Sequence, residues 1–467
     1  METLLLRLER ALWGWPLLVL LLGSGIYMSL RLRLLPLRRL PLALKLTFRR
    51  GRGASGGVTP FGALCTALSA AVGTGNIVGV ATALSLGGPG ALAWMELSAL
   101  TGLGLKYAEG VLAVRYRCGE GTGKPWGGPF AYISLGLGPR YRPFAAAFAV
   151  CGALAGLLGV GTFVQVGSVS ACLAELMNLE GLRPRLLRLP WGLSVPLICV
   201  LAGLGLALLA AAVMLGGMER VSRLSSVLVP LMGGLYGLCC VWILLRHARL
   251  LPALCGRVLR EAFTPAAAGG GLLGTAAAGV SRGVFSHEAG LGTAPMAAAS
   301  ARGVRPWEQG LISMTAVVFD TLLICTLTGL VILVTGAEGA GTAAAMTAFS
   351  RGLPLPPLLS RLLVFTILGL FAFTTVVGWS CYGTACLRWL AGDSERLRRS
   401  YLLLYAATVA AAPLCSARVV WTAANLCNGL MAVPNVLALL LLSGRVAESS
   451  EAILDFPYEM RYNESSF

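Results

Sequence analysis

The feature that most restricts this chain is a succession of apolar runs, each about as long as a bilayer is thick. An α-helix needs about 20 consecutive apolar residues to cross the hydrocarbon core. Reading the sequence between its Pro, Gly and charge breaks gives about eleven such runs, near 12–30, 61–84, 91–114, 144–177, 192–214, 224–245, 266–288, 309–334, 361–387, 400–417 and 420–443. Backbone groups in lipid have no water to bond, so each run is expected to be helical unless protein covers it. Charged residues make up only 12% of the chain, about half the share of a soluble domain. The expected class is an all-α polytopic membrane protein with about 11 transmembrane helices.

The net charge of +17 would suit a nucleic-acid binder, but its distribution argues against one. The Lys and Arg residues sit in short loops between apolar spans, and no soluble face is available to gather them. With the N-terminus outside, the inner loops hold 24 Lys and Arg and the outer segments 12. That ratio predicts N-terminus out and C-terminus cytoplasmic. The outer loop at 246–264, with Arg246, Arg249, Arg257 and Arg260, fits least well. It reads either as an amphipathic helix on the membrane surface or as a helix miscounted. The thirteen Cys residues lie mostly in apolar segments and form no CxxC or Cys/His spacing, so they read as small apolar packing residues. Near the N-terminus the basic cluster follows the first apolar run, which suits an uncleaved span better than a signal peptide.

Two of the spans are not uniformly apolar. Span 61–84 contains Ser69-Ala70-Ala71-Val72-Gly73-Thr74-Gly75-Asn76-Ile77, and span 266–288 opens Ala266-Ala267-Ala268-Gly269-Gly270-Gly271 and closes Phe285-Ser286-His287-Glu288-Ala289-Gly290. Glycine costs a helix about 1 kcal/mol per residue. Irregular backbone at membrane depth survives only where protein buries it or it lines a cavity. Setting the first span aside, these are the leading helices of two successive groups of five. Interrupted helices at matching places in two halves point to a transporter's binding site. Close helix packing through small residues is the competing reading, and glycine alone does not separate the two.

The string Ala67-Leu68-Ser69-Ala70-Ala71-Val72-Gly73-Thr74-Gly75-Asn76-Ile77-Val78-Gly79, with Gly87-Gly88-Pro89-Gly90-Ala91 and Trp94 after it, resembles the alanine or glycine:cation symporter family. Three later blocks agree: Phe285-Ser286-His287-Glu288-Ala289-Gly290-Leu291-Gly292-Thr293, Phe371-Ala372-Phe373-Thr374-Thr375-Val376-Val377-Gly378-Trp379-Ser380, and Asn428-Gly429-Leu430-Met431-Ala432-Val433-Pro434-Asn435. They run in the family's order from about residue 60 to 445. The resemblance implies the leucine-transporter fold, a 5+5 inverted repeat with one extra N-terminal helix. It divides the chain into an extra helix and basic loop at 1–60, a first repeat at 61–250, a second at 251–445 and a cytoplasmic tail at 446–467. It implies a secondary carrier importing alanine or glycine with Na⁺, or with H⁺ in some members; the alternatives are an uncoupled carrier or a solute-binding sensor that has lost coupling. Such a carrier works without cofactor or enzymatic activity, in the plasma (inner) membrane of a bacterium or archaeon.

A zwitterionic amino acid presents a carboxylate, which the N–H groups of a broken helix can hold without a charged side chain. Thr74 and Gly75 are the candidates, glycine allowing close approach. Asn76 offers an amide oxygen to a hard cation, or caps the broken helix. Gln165 is a costly amide deep in an apolar span. The resemblance assigns it to the substrate, whereas residue chemistry alone would make it an interhelical hydrogen bond. Trp379 reads as a wall of the pocket or as core. The resemblance makes Thr374 and Thr375 Na⁺ ligands, together with carbonyls at Ser69 and Val72; the alternative for the hydroxyls is bonding back to their own helix.

Glu288 is left to pair with Arg282 or to cap the following segment, and Lys106 with Glu109 to pair on one helix face. The sequence departs from the family where His287, Thr384, Thr422, Asn425 and Gly62 stand. Lost carboxylates among these positions bear on the coupling ion. His287 could titrate near neutral pH or stay inert. An intramembrane enzyme would need a nucleophile and base within reach, and a channel a polar stripe or charged ring; the sequence shows neither.

Overall fold

The computed structural model describes residues 7–9, 11–49, 57–122, 124–188, 194–264, 271–415 and 417–454. Helices lie at each of the expected spans. The first is α1, Trp15–Arg31. The first interrupted span is α2, Pro60–Ala71, and α3, Val78–Gly87, followed by α4, Gly90–Arg115. The span Pro139–Leu179 contains α5, Arg142–Leu158, and α6, Phe163–Leu179. Next come α7, Leu197–Met214, and α8, Gly217–Arg246. After the short α9, Leu251–Ala262, come α10, Gly271–His287, and α11, Ala294–Ala298. A further span joins α12, Pro306–Val317, to α13, Thr326–Val334, through a π-helical stretch, Val318–Cys325. The chain closes with α14, Pro357–Ala391, α15, Glu395–Ala411, α16, Ala417–Leu441, and α17, Ser443–Leu454.

Five of the described helices are long and apolar enough to cross a bilayer unaided, or seven when each bent pair counts as one span. The others fall short for a physical reason: they are broken, or too short, like the 17-residue apolar α1, or, like α4, they carry Glu96, Lys106, Glu109 and Arg115 along their length. Leu204, Leu208 and Leu209 on α7, and Leu231 and Leu238 on α8, point outward, as a lipid-facing surface requires. The 246–264 loop resolves into α9, 12 residues with Val258 and Ala262 buried and Arg257 and Arg260 exposed. It is an amphipathic helix too short to cross.

The helices gather around two posts. α4 contacts α1, α9, α10 and α12, while α14 contacts α2, α5, α6 and α8. α2 leans on α8 and α14, whereas α3 leans on α10. The break between α2 and α3 therefore bridges the two groups, with a bend of 63°. Thr59 caps α2 by accepting the Gly62 N–H at 3.0 Å, and Pro60 fits the first turn, where its missing N–H is no loss. The helix stops at Ala71 because Val72 (ψ 86°) and Gly73 leave the helical region. The second interrupted helix breaks at its other end, after His287. Glu288, Gly290 and Gly292 all have positive φ (52°, 84° and 80°), a conformation that suits the two glycines and strains the glutamate. The earlier run Ala266 to Gly270 lies outside the described residues.

Candidate functional site

The first joint is a 3₁₀ turn, Thr74–Asn76, with all three residues buried. Asn76 ties it in two directions. Its Oδ1 accepts the Gly73 N–H at 3.1 Å, and its Nδ2 donates to Asp320 Oδ1 at 2.6 Å and to Ser286 Oγ at 3.0 Å. Capping and reaching the neighbouring helices are thus both done by one amide. The Thr74 N–H donates to Gln165 Oε1 at 3.1 Å, and Gln165 Nε2 donates to Val160 O at 3.1 Å. Gln165 thereby links the first joint to the irregular segment between α5 and α6. The Thr74 hydroxyl is buried with no partner among the described residues.

Gly73 is needed for close approach. A Cβ there would lie 2.6 Å from Thr375 Oγ1 and 3.1 Å from Gln165 Oε1. Gly75 faces the Phe285 ring, 3.5 Å from where its Cβ would be. On α14, Thr375 Oγ1 is 3.5 Å from the Val72 carbonyl. The Thr374 hydroxyl donates to Phe371 O at 3.0 Å and touches Met232 Sδ at 3.4 Å. Ser69 Oγ donates to Thr66 O at 2.8 Å and approaches Gly378, where a Cβ would be 2.7 Å away. The last turn of α2 therefore meets α14 at Thr375 and Gly378. Three of the five residues expected around a cation (Ser69, Val72 and Thr375) line that contact, while the Thr374 hydroxyl turns to its own helix and Met232 and Asn76 faces Asp320.

Trp379 is fully buried one turn beyond Thr375, its ring edge-on to Tyr382 with centroids 5.6 Å apart. It backs onto Gly161, where a Cβ would be 2.5 Å from the Trp379 Cβ. Its Nε1 is buried without a partner among the described residues. A cavity of about 390 Å³ reaches Ser380 and Cys381 from the face carrying Trp126, Arg302, Arg388 and Arg398, and Thr384 is on its wall. Arg388 stacks on Trp126, 4.4 Å from the ring centroid, and pairs with Asp393 at 2.5 Å.

The second joint is held by side chains whose roles the sequence did not reveal. Lys106 and Glu109 of α4, expected to pair with each other, turn to the backbone instead. Lys106 Nζ donates to His287 O at 2.8 Å, at the negative end of α10. Glu109 Oε1 accepts the N–H groups of Gly290 (3.1 Å) and Gly292 (3.0 Å) and Asn435 Nδ2 (2.8 Å). Asn435 also donates to Gly290 O at 2.9 Å and accepts from the Tyr132 hydroxyl. Glu288 accepts the Thr293 hydroxyl at 2.6 Å, at the start of α11. His287 Nδ1 accepts the Ala289 N–H at 3.0 Å, so Nε2 carries the proton and faces Ser98 Oγ at 3.3 Å. Both ring nitrogens are committed, which leaves His287 a neutral structural group. Asp320, on the π-helical stretch, was missed altogether. A lone carboxylate within an apolar span is the signal that could have found it.

No group of three or more His, Cys, Asp or Glu among the described residues is arranged to hold a metal. The polar atoms at the first joint are amide, hydroxyl and carbonyl oxygens with one carboxylate, a donor set for a hard monovalent ion or a zwitterion.

The chain matches the sodium:alanine symporter family over residues 1–462. It is 40% identical over 465 residues to the sodium/alanine symporter AgcS of Methanococcus maripaludis, covering 97% of this chain and 96% of that one. It is 34% identical over 439 residues to the probable sodium/glutamine symporter GlnT of Bacillus subtilis, covering 92% and 86%. Among solved structures it resembles MhsT in complex with L-phenylalanine, with a TM-score of 0.59 at 15% identity over 86% of this chain and 93% of that one. That likeness shows the leucine-transporter fold. The chain therefore belongs to the sodium:alanine symporter family and is a multi-pass membrane transporter, not an enzyme, that carries an amino acid together with a cation.

Proposed function

We propose that the protein imports a small neutral amino acid, alanine or glycine, driven by Na⁺. The observation that carries this reading is the meeting of the α2 C-terminus with α14, where the Val72 carbonyl lies 3.5 Å from Thr375 Oγ1. The end of a half-helix is the negative pole of its dipole, and carbonyls and hydroxyls suit Na⁺ without a fixed counter-charge. In this reading Ser69 and Val72 contribute carbonyls and Thr374 and Thr375 hydroxyls. The substrate would part the Thr74 N–H from the Gln165 amide oxygen, now bonded at 3.1 Å, its carboxylate taking the N–H groups at Thr74 and Gly75 and its ammonium the freed oxygen. Trp379, packed against Gly161, and Phe285, over Gly75, would confine the substrate side chain to a hydrogen or a methyl group. The two-to-one excess of basic residues favours the N-terminus outside, so the cavity at Arg302 and Arg388 would open to the cytoplasm. The setting would be the plasma (inner) membrane of a bacterium or archaeon.

The test is uptake of labelled alanine and glycine into proteoliposomes under a Na⁺ gradient, with Na⁺ replaced by choline at fixed pH. The expected result is uptake in Na⁺ and none in choline. Equal uptake in both salts would overturn sodium coupling, and no uptake of either amino acid would overturn the substrate assignment.

A further inference from the structure

The segment 246–264 holds the basic residues that the inside–outside charge balance explains least. It carries Arg246, Arg249, Arg257 and Arg260 against one carboxylate, Glu261. Within it, α9 sorts its residues by face. Val258 and Ala262 are buried. The Trp94 indole of α4 donates to Ala262 O at 2.8 Å, and a Cβ on Gly90 would lie 2.5 Å from Ala262 N. Phe263 packs on the Trp94 ring, with centroids 5.6 Å apart. The C-terminal end of α9 is thus fixed to the start of α4. Leu250, Leu254, Arg257 and Arg260 recur at the helical spacing of three and four along another face. With Leu333 and Val334 at the end of α13 they line a groove of about 360 Å³, within the usual range for a small-molecule site.

This groove is graded along its length. Leu250 and Leu254 supply its apolar wall together with Leu333 and Val334, and Arg257 and Arg260 form its polar end. Arg257 Nε pairs with Glu261 Oε1 at 2.6 Å. Arg260 Nε donates to Gly256 O at 3.3 Å, and no carboxylate of a described residue pairs with it. The polar end therefore carries one positive charge more than Glu261 neutralises. An amphipathic helix of this kind lies at the boundary between headgroups and acyl chains, which is where a groove apolar at one end and basic at the other meets a molecule of the same construction. A guanidinium holds a phosphate through two parallel N–H donors. A choline headgroup would bring its own cation to the arginines and cancel the attraction, and a soluble phosphate would leave the apolar wall unused. We propose that the groove between α9 and α13 binds an anionic glycerophospholipid, its phosphate on Arg257 and Arg260 and an acyl chain along Leu254 and Leu333. Because α9 is fixed to α4, the bound lipid ties α13 to that helix from the bilayer side. The site shares no residue with either helix break and does not depend on which amino acid or ion is carried.

The experiment is equilibrium binding of radiolabelled phosphatidylglycerol to the purified full chain in a neutral detergent, with unlabelled phosphatidylcholine and glycerol phosphate as competitors. Saturable binding is expected, displaced by neither competitor at concentrations where unlabelled phosphatidylglycerol displaces it. The double variant Arg257→Gln/Arg260→Gln should weaken binding about 25-fold, at about fivefold for each basic residue at a lipid surface. Both side chains are exposed, so its melting point without lipid should stay near that of wild type. Arg246→Gln/Arg249→Gln removes the same charge just outside the groove, where salt screens it, and should cost no more than about twofold. Leu333→Trp keeps every arginine but fills the apolar wall, and should weaken binding about tenfold. Equal losses in the two arginine pairs, or wild-type affinity in Leu333→Trp, would reduce the effect to diffuse charge and overturn the site. Displacement by phosphatidylcholine overturns the anionic preference, and displacement by glycerol phosphate overturns the assignment to a lipid. A wild-type chain that binds no phosphatidylglycerol overturns the inference while leaving the transport reading untouched.

Discussion

Glu109 offers a test of how the second joint is held. Glu109→Ala removes the acceptor of two backbone N–H groups and of the Asn435 amide, in a place with no exposure to solvent. Asn435 keeps its bond to Gly290 O, so the cost falls on Gly290 and Gly292. A buried donor left unsatisfied costs about 1–3 kcal/mol, so the two together cost about 2–6 kcal/mol. The middle of that range, about 4 kcal/mol, is the expected loss. Unfolding entropy of about 2.1 cal/mol/K per residue over 467 residues gives about 1 kcal/mol/K. The melting point should therefore drop by about 4 °C. Buried thiols such as Cys65, Cys172, Cys240, Cys325 and Cys386 make a thiol-reactive dye a direct reporter of unfolding in detergent. Lys106→Met should cost less alone, and much less in the Glu109→Ala background, because the two side chains grip opposite ends of one joint. A melting point for Glu109→Ala within about 1 °C of wild type would refute the clamp, as would a double variant whose losses simply add to within about 0.5 kcal/mol.

The remaining predictions concern the first joint and the tail. Gly73→Ala should abolish alanine binding while leaving the melting point near wild type. Its φ of −128° accepts a side chain, but the added Cβ presses on Thr375 and Gln165; binding at wild-type affinity would contradict the close packing. Trp379→Phe should admit larger amino acids such as leucine as competitors of alanine uptake, and an unchanged inhibitor profile would remove Trp379 from the pocket wall. Glu448 of α17 pairs with Arg115 at 3.1 Å and Arg445 at 3.2 Å, and these arginines hold its carboxyl below the usual range. Because the folded value is the lower one, the contact is complete above the unfolded value near 4.3 and is lost as pH falls through the folded value. Hydrogen exchange in α17 should rise below about pH 4, and Glu448→Gln should remove that acid step.

The sequence by itself determined the class of fold and the order of its helices. Apolar length is a one-dimensional property, and in lipid it leaves little choice but a helix. The strings around Gly73 and Thr374 likewise brought the first joint and the hydroxyl pair of α14 to notice. Which groups those residues meet was decided by tertiary structure alone. Asp320 reads in sequence as a stray carboxylate in an apolar span; only the packing of α10 and the π stretch against the first joint gives it Asn76 and Ser286. Lys106 and Glu109 read as a helical pair three residues apart, and on an isolated helix they would be one. In the folded protein the unwound backbone after His287 offers a carbonyl and two N–H groups that find no other partner among the described residues. A buried backbone group left unpaired costs more than an ion pair gains, so the side chains turn to the joint. Sequence records how far apart residues are along the chain, while the two joints consist of backbone exposed at helix breaks and the side chains from distant helices that satisfy it.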